Sequence, residues 1–341
     1  MRAKARLTLL GACAALLVAA AAGGALGWRF LHSSMKVDPE GDWLEVPAGV
    51  PLMHVSEELA RRGLLEHPRV LSLYARLRGE ATRIHAGEYR IAHGTTPDEL
   101  LTQLVEGRVY LHQLTVVEGW RVTELFAALR AEPAIRLTGI EPDQIMAALG
   151  ESGVAPEGEF FPDTYRFPKG TTDLEFLRQA HEALQQHLEE AWKNRQPGIV
   201  LETPYEALIL ASIIEKETAL PSERRKISGV FHRRLERGMR LQTDPTVIYG
   251  LGEAFDGNLR RDDLARDTPY NTYTRAGLPP TPIALPSAAS LEAAVSPDIG
   301  DALYFVATGR PDGSHYFSAT LEEHNRAVAS YLSTLRKAHG D

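Results

Sequence analysis

The chain has 341 residues, 44% hydrophobic and 24% charged, with 10 Phe, 11 Tyr and 4 Trp, which suits about two packed domains and excludes a disordered or fibrous chain. Its 37 basic and 45 acidic residues give a net charge of −8, which excludes nucleic acid as a partner, since phosphates require a strongly basic face. The single cysteine, Cys13, excludes internal disulfides and thiolate zinc sites.

Leu7 to Leu26 is a run of 20 uncharged residues, which at about 1.5 Å of rise each spans the roughly 30 Å of a bilayer core. Arg2, Lys4 and Arg6 precede it and Trp28 follows. The positive-inside rule therefore places residues 1–6 in the cytosol, makes 7–28 the membrane anchor and exports the remainder. The small residues from Ala19 to Ala25 also suit a cleaved signal peptide, but the run exceeds the usual apolar core of one. Either way the body of the protein is exported.

A short polar linker, His32–Gly41, precedes an α+β chain. Trp43–Val46 reads as a strand, Val55–Arg62 and Pro68–Arg78 as helices closed by Gly63 and Gly79, and Gly87–Ile91 as a second strand, which completes a small βααβ unit. Thr96-Pro-Asp-Glu99 is a capping box opening a helix that Gly107 ends. Val109–Val117 alternates as a strand and Thr123–Arg130 reads as a helix. A further capping box, Thr172-Asp-Leu-Glu175, opens a long helix to about Arg195. Another, Thr203-Pro-Tyr-Glu206, opens a helix that is apolar nearly all round and ends in Glu215-Lys-Glu217 before Pro221, which puts it in the middle of the larger domain. Gly238–Pro297 is dense in loop formers, and a strand, hairpin, strand and helix (Glu322–Lys337) finish the chain.

His181-Glu182 lacks the second histidine of a zinc-protease helix, since position 185 is Gln, and reads as a solvated helix face. No serine elbow, phosphate loop or metal-ligand constellation is legible, so neither a metal nor a cofactor is expected. Arg224-Arg-Lys226 with Arg233, Arg234 and Arg237 reads as a charged outer helix face.

Carboxylate chemistry remains. With the apolar stripe centred on Ala207, Ala211, Ile214 and Thr218, Glu215 and Glu217 lie about 80° to either side of it, so they form no proton-sharing dyad and periodicity does not choose between them. Downstream, Gln242, Asp244, Tyr249, Tyr270, Asn271 and Tyr273 supply the amides, hydroxyls and rings that suit a sugar cleft.

Ala211-Ser-Ile-Ile-Glu-Lys-Glu-Thr218, Arg240-Leu-Gln-Thr-Asp-Pro-Thr-Val-Ile-Tyr-Gly250, Tyr270-Asn-Thr-Tyr273, Gly277-Leu-Pro-Pro280, His315-Tyr-Phe and His324-Asn325 closely resemble the endolytic murein transglycosylase (YceG-like) family. Val117-Glu-Gly119 and the Glu157-Gly158 to Tyr165 segment extend the resemblance from about Val37 to the C-terminus. Glu159 departs from it, standing where an apolar residue is expected.

The resemblance implies a single-pass inner-membrane protein with its N-terminus cytoplasmic, a small LysM-like domain (37–108) and a larger periplasmic mixed α/β catalytic domain (109–341). It implies internal cleavage of nascent peptidoglycan strands between N-acetylmuramic acid and N-acetylglucosamine, leaving 1,6-anhydro ends, with cell-wall synthases as candidate partners. The family's catalytic acid falls on Glu217, and Gln242, Asp244, Asn271 and Tyr273 fall on cleft positions. A non-catalytic peptidoglycan-binding scaffold is the alternative function, and hydrolysis in place of cyclisation the alternative chemistry.

Overall fold

The apolar N-terminal run forms one helix, α1 (Arg2–Leu31), in a computed structural model that describes residues 2–339, and of residues 2–10, 12, 335 and 337–339 the backbone alone. Met1, Gly340 and Asp341 lie outside the described residues, as do the side chains of Arg2, Lys4 and Arg6 that carry the charge asymmetry. Within α1, Cys13–Leu31 is long and apolar enough to cross a membrane, with a mean hydropathy of 1.6. The chain is mixed α/β and divides into two units. Unit one runs to His112 and takes in Phe167–Lys169, and unit two comprises Gln113–Arg166 and everything from Gly170.

In unit one, β1 (Asp42–Val46) pairs antiparallel with β2 (Gly87–Ile91), Asp42 lying opposite Ile91 and Val46 opposite Gly87. Strand alternation sends Leu44, Val46, Tyr89 and Ile91 to one face. There they join Leu59 of α2 (Leu52–Arg61), Leu71 of α3 (Pro68–Leu77) and Leu101 of α4 (Pro97–Glu106) in one core. The Thr96–Glu99 capping box forms, and Gly107 ends α4 at a φ of 66°, the left-handed cap that glycine adopts without a Cβ penalty. His32–Gly41 is not the polar linker its composition suggests. Leu31, Met35 and Val37 are buried in the core, so three apolar side chains among polar neighbours tie α1 directly into the fold.

The chain passes into unit two along β3 (Leu111–Thr115), which forms a two-stranded sheet with β4 (Thr164–Pro168). Between them lie α5 (Val122–Ala131) and α6 (Ile145–Leu149). Capping boxes open α7 (Asp173–Lys193) at Thr172 and α8 (Pro204–Glu217) at Thr203. Every residue of α8 from Ala207 to Ile214 is buried, as a helix apolar on all sides requires. The elements α7, α9 (Pro221–Glu236), α10 (Asp244–Leu251) and, after the short α11 (Arg261–Ala265), α12 (Ala288–Val295) enclose it. The hairpin of β5 (Tyr304–Ala307) and β6 (His315–Ser318), with Tyr304 opposite Ser318, leads into α13 (Leu321–His339).

One surface assignment is overturned in part and another outright. Arg234 of α9 is buried and donates to the carbonyls of Leu303 at 2.7 Å and Leu241 at 2.6 Å, while Arg233 reaches Ala302 at 2.7 Å. Guanidinium groups can be enclosed when carbonyls take up their donors, so Arg233 and Arg234 lie on an inner face of α9, while Arg225, Lys226 and Arg237 remain on an exposed, charged face. His181 is buried too, with Nδ1 2.8 Å from the Glu159 carbonyl oxygen.

Gly158 has a φ of +84°, and a Cβ there would lie 2.3 Å from Pro282 Cβ. Backbone conformation and a rigid ring both exclude a side chain. Gly158→Ala should cost about 2 kcal/mol or more, read as a lower melting temperature of the detergent-solubilised chain. An unchanged midpoint would refute this account of the glycine.

Candidate active site

Helix α8 brings Glu215, Lys216 and Glu217 out of the core in its final turn. There, with Thr218 and Arg224, they line an open cleft of about 740 Å³ whose facing walls are Thr115–Gly119 and Pro162–Thr164. The near wall is pinned. Lys216 Nζ donates to the Gly119 carbonyl at 3.1 Å, and Gly119 N–H donates to the Leu285 carbonyl at 2.8 Å.

The two glutamates have separate surroundings, as their angular separation on the helix requires. Glu215 accepts both the N–H and the hydroxyl of Ser287, the N-cap of α12, and lies 3.8 Å from Arg224. Its charge is answered by a guanidinium and a helix N-terminus. Glu217 is half-buried and accepts from Thr243 Oγ1. Burial pushes its pKa up to about 7; the Thr243 bond opposes this, the negative field of Asp244 reinforces it, and His315 and Arg234 oppose it from further away. At neutral pH about half of such a group holds its proton, the condition a general acid needs.

Thr243 is itself shaped for this contact. It is the N-cap of α10 yet makes no side-chain cap bond; its hydroxyl instead donates to Glu217. Its N–H donates to Thr272 Oγ1 at 3.1 Å, and Thr246 donates to its carbonyl at 2.8 Å. Gln242, immediately before it, is exposed and holds a φ of 51°, a left-handed conformation uncommon for a residue with a Cβ. Asp244 accepts the Tyr273 hydroxyl at 2.6 Å, and burial followed by that bond drives the Tyr273 pKa up, keeping the phenol a donor. Glu217 thus meets Thr243, Gln242 and Asp244 flank Thr243 in the chain, and Tyr273 is tied to Asp244; of these, Glu217 is the one that lines the cleft.

Asn271 faces its own loop. It is 1% exposed; Nδ2 donates to the carbonyl of Arg266 at 2.6 Å and Leu264 at 3.1 Å, and Oδ1 accepts Tyr273 N–H at 2.8 Å. Thr243 and His315 enter the sequence reading only within family-like segments and Arg234 only within a basic run, since none of them carries a local sign of lying near a carboxyl.

Residues 44–330 match the YceG-like family. The chain belongs to that family. A Bacillus subtilis protein named endolytic murein transglycosylase is 31% identical over 339 residues, 91% of each chain. One of the same name from Streptococcus pneumoniae is 27% identical over 351 residues, covering 92% of this chain and 63% of the relative. The crystal structure of a YceG-like protein from Listeria monocytogenes shares 29% identity at a TM-score of 0.53, over 85% of this chain and 99% of that one.

In this YceG-like protein, burial also raises the pKa of Glu157 and Glu159 to about 7. A raised pKa alone therefore nominates three carboxyls, and geometry separates them. Glu157, 5% exposed, accepts Val122 N–H at 3.0 Å, and Glu159, 2% exposed, lies beside His181. Neither lines the cleft, whereas Glu217 does.

The raised pKa also ties Glu217 to stability. The native state binds its proton more tightly than the unfolded chain, so the stabilisation is complete below about pH 4.5 and is lost as pH rises to about 7. Glu217→Gln should therefore raise the melting temperature at pH 8 and leave it nearly unchanged at pH 5. Equal shifts at the two pH values in thermal denaturation would mean that the carboxyl is not held protonated.

Proposed function

We propose that this chain is an endolytic murein lytic transglycosylase with Glu217 as its single general acid and base. What carries the reading is that Glu217, among the described residues lining the cleft, is the carboxyl raised to near neutrality. The names of the Bacillus and Streptococcus relatives support the reaction class.

In the proposed reaction the Glu217 proton passes to the glycosidic oxygen between N-acetylmuramic acid and N-acetylglucosamine as the C1–O bond breaks. The C6 hydroxyl of the same muramyl residue attacks C1, and its proton goes to the Glu217 carboxylate. The products are a 1,6-anhydro-muramyl end and a free N-acetylglucosamine hydroxyl; no water is consumed and Glu217 regains its starting state. A nucleophile supplied by the substrate removes the need for the second carboxylate of an ordinary glycosidase. Gln242, Asp244 and Tyr273 are the proposed sugar-binding group, and Asn271 a positioning residue for the loop that presents Tyr273.

On the same reading α1 crosses the inner membrane with its N-terminus cytoplasmic, unit one is a LysM-like glycan-holding domain and unit two the periplasmic catalytic domain. Peptidoglycan strands are the substrate, and the synthases that make them are the proposed neighbours. The apolar stretch Cys13–Leu31 supports the anchor.

Glu217→Gln should remove cleavage by about 10⁴-fold, the upper range for general acid–base catalysis, because one group serves both half-steps. Glu215→Gln and Glu159→Gln should retain chemistry. Mass spectrometry of digested peptidoglycan should find ends one water lighter than hydrolytic ends. Reducing ends would instead establish hydrolysis, and glycan binding without new ends would establish a scaffold.

A further inference from the structure

Helix α3 carries two leucines that unit one does not use. Leu73 and Leu77 are 57% and 80% exposed, one turn apart on the outward face, while Leu71 and Ala75 face the core. Single exposed leucines are ordinary. This pair, however, lines an apolar groove of about 970 Å³ whose other wall is Gly23, Gly24 and Leu26 of α1, residues inside the stretch able to cross a membrane. The two helices approach closely, since a Cβ at Gly27 would lie 3.9 Å from Val70 Cγ1, and the Phe30 and His67 rings are 5.1 Å apart.

From Leu26, exposed on α1, to Leu31, buried in the unit-one core, the helix advances about 7.5 Å. No spacer lifts unit one away, so a groove with one wall inside the membrane span has its second wall at the same depth. Water there would wet apolar surface on both sides, whereas acyl chains would fill it. Arg29, Arg69 and Arg76 are exposed around this region, and long cationic side chains at such a level reach out to headgroup phosphates.

We propose that the outward face of α3, with Leu73 and Leu77, beds into the bilayer that α1 crosses, so that unit one is held against lipid and not merely tethered to it. The proposal rests on the membrane-spanning reading of α1, and the test separates the two. The full chain is reconstituted in phosphatidylethanolamine–phosphatidylglycerol vesicles, with an environment-sensitive fluorophore placed either on native Cys13 or, in a Cys13→Ser background, at Leu77→Cys. Leu77 is mostly exposed, so its substitution leaves the core intact.

With both readings right, each label loses most of its fluorescence to lipids spin-labelled on the acyl chain and little to aqueous iodide. A quenched Cys13 label beside a Leu77 label that only iodide reaches overturns the proposal and leaves the anchor standing. A Leu77 label shielded from both quenchers also overturns it, since protein, a second copy included, would then cover the face. A Cys13 label open to iodide removes the membrane reading, and the proposal with it.

Discussion

A carboxyl placed at the C-terminal end of a fully enclosed helix is the constraint around which unit two is arranged. The eight buried residues from Ala207 to Ile214 force other helices to surround α8, and only its last turn emerges at the cleft. That end of a helix carries partial negative charge, so Glu217 ionises against the dipole as well as against desolvation. Lys216, between Glu215 and Glu217, has the sign the dipole favours and reaches the Gly119 carbonyl.

The two carboxyls diverge through what answers them. Glu215 meets a helix N-terminus at Ser287 and a guanidinium at Arg224, and so braces α12. Glu217 receives one hydroxyl and weaker opposing fields from two groups that are engaged elsewhere: Arg234 with the Leu303 and Leu241 carbonyls, His315 with Glu223 at 2.7 Å. Incomplete compensation is what holds a proton on an acid near neutrality. The surrounding loop bears a local cost for it, with Gln242 in a left-handed conformation and Thr243 giving up its own helix cap. Strain of this kind persists where neighbouring structure over-determines it, and Asn271 does so here by tying Tyr273 to three loop carbonyls.

Signals confined to a few residues were legible in the sequence. The capping boxes at Thr96, Thr172 and Thr203 form where their spacing places them, and Gly87–Ile91 is a strand at the expected bounds. Features set by distant partners were not. Glu215 and Glu217 sit symmetrically about the apolar stripe, and what distinguishes them lies 72 residues away at Ser287 and 26 away at Thr243. The strand β4 and helix α12 carry no strong local pattern, and the arginines of α9 resemble a solvated face because nothing nearby shows the carbonyls they meet 69 residues later. The resemblance to a family selected Glu217 where periodicity could not, and burial at the cleft raises that carboxyl to about 7.

Glu159 and His181 show the same limit from the other side. Each departs from expectation, one a carboxyl where an apolar residue belongs, the other a histidine on a face that reads as solvated, and the fold resolves both by burying them together. The His181 Nδ1 proton is taken by the Glu159 carbonyl, and burial raises the neighbouring carboxyl to about 7 although His181 opposes it, the same desolvation that raises Glu217. Two acids with the same protonation tendency are thus made unlike by access alone: one is sealed against an imidazole, the other opens on the cleft. In this fold burial sets the acidity, and position relative to the cleft separates the two acids.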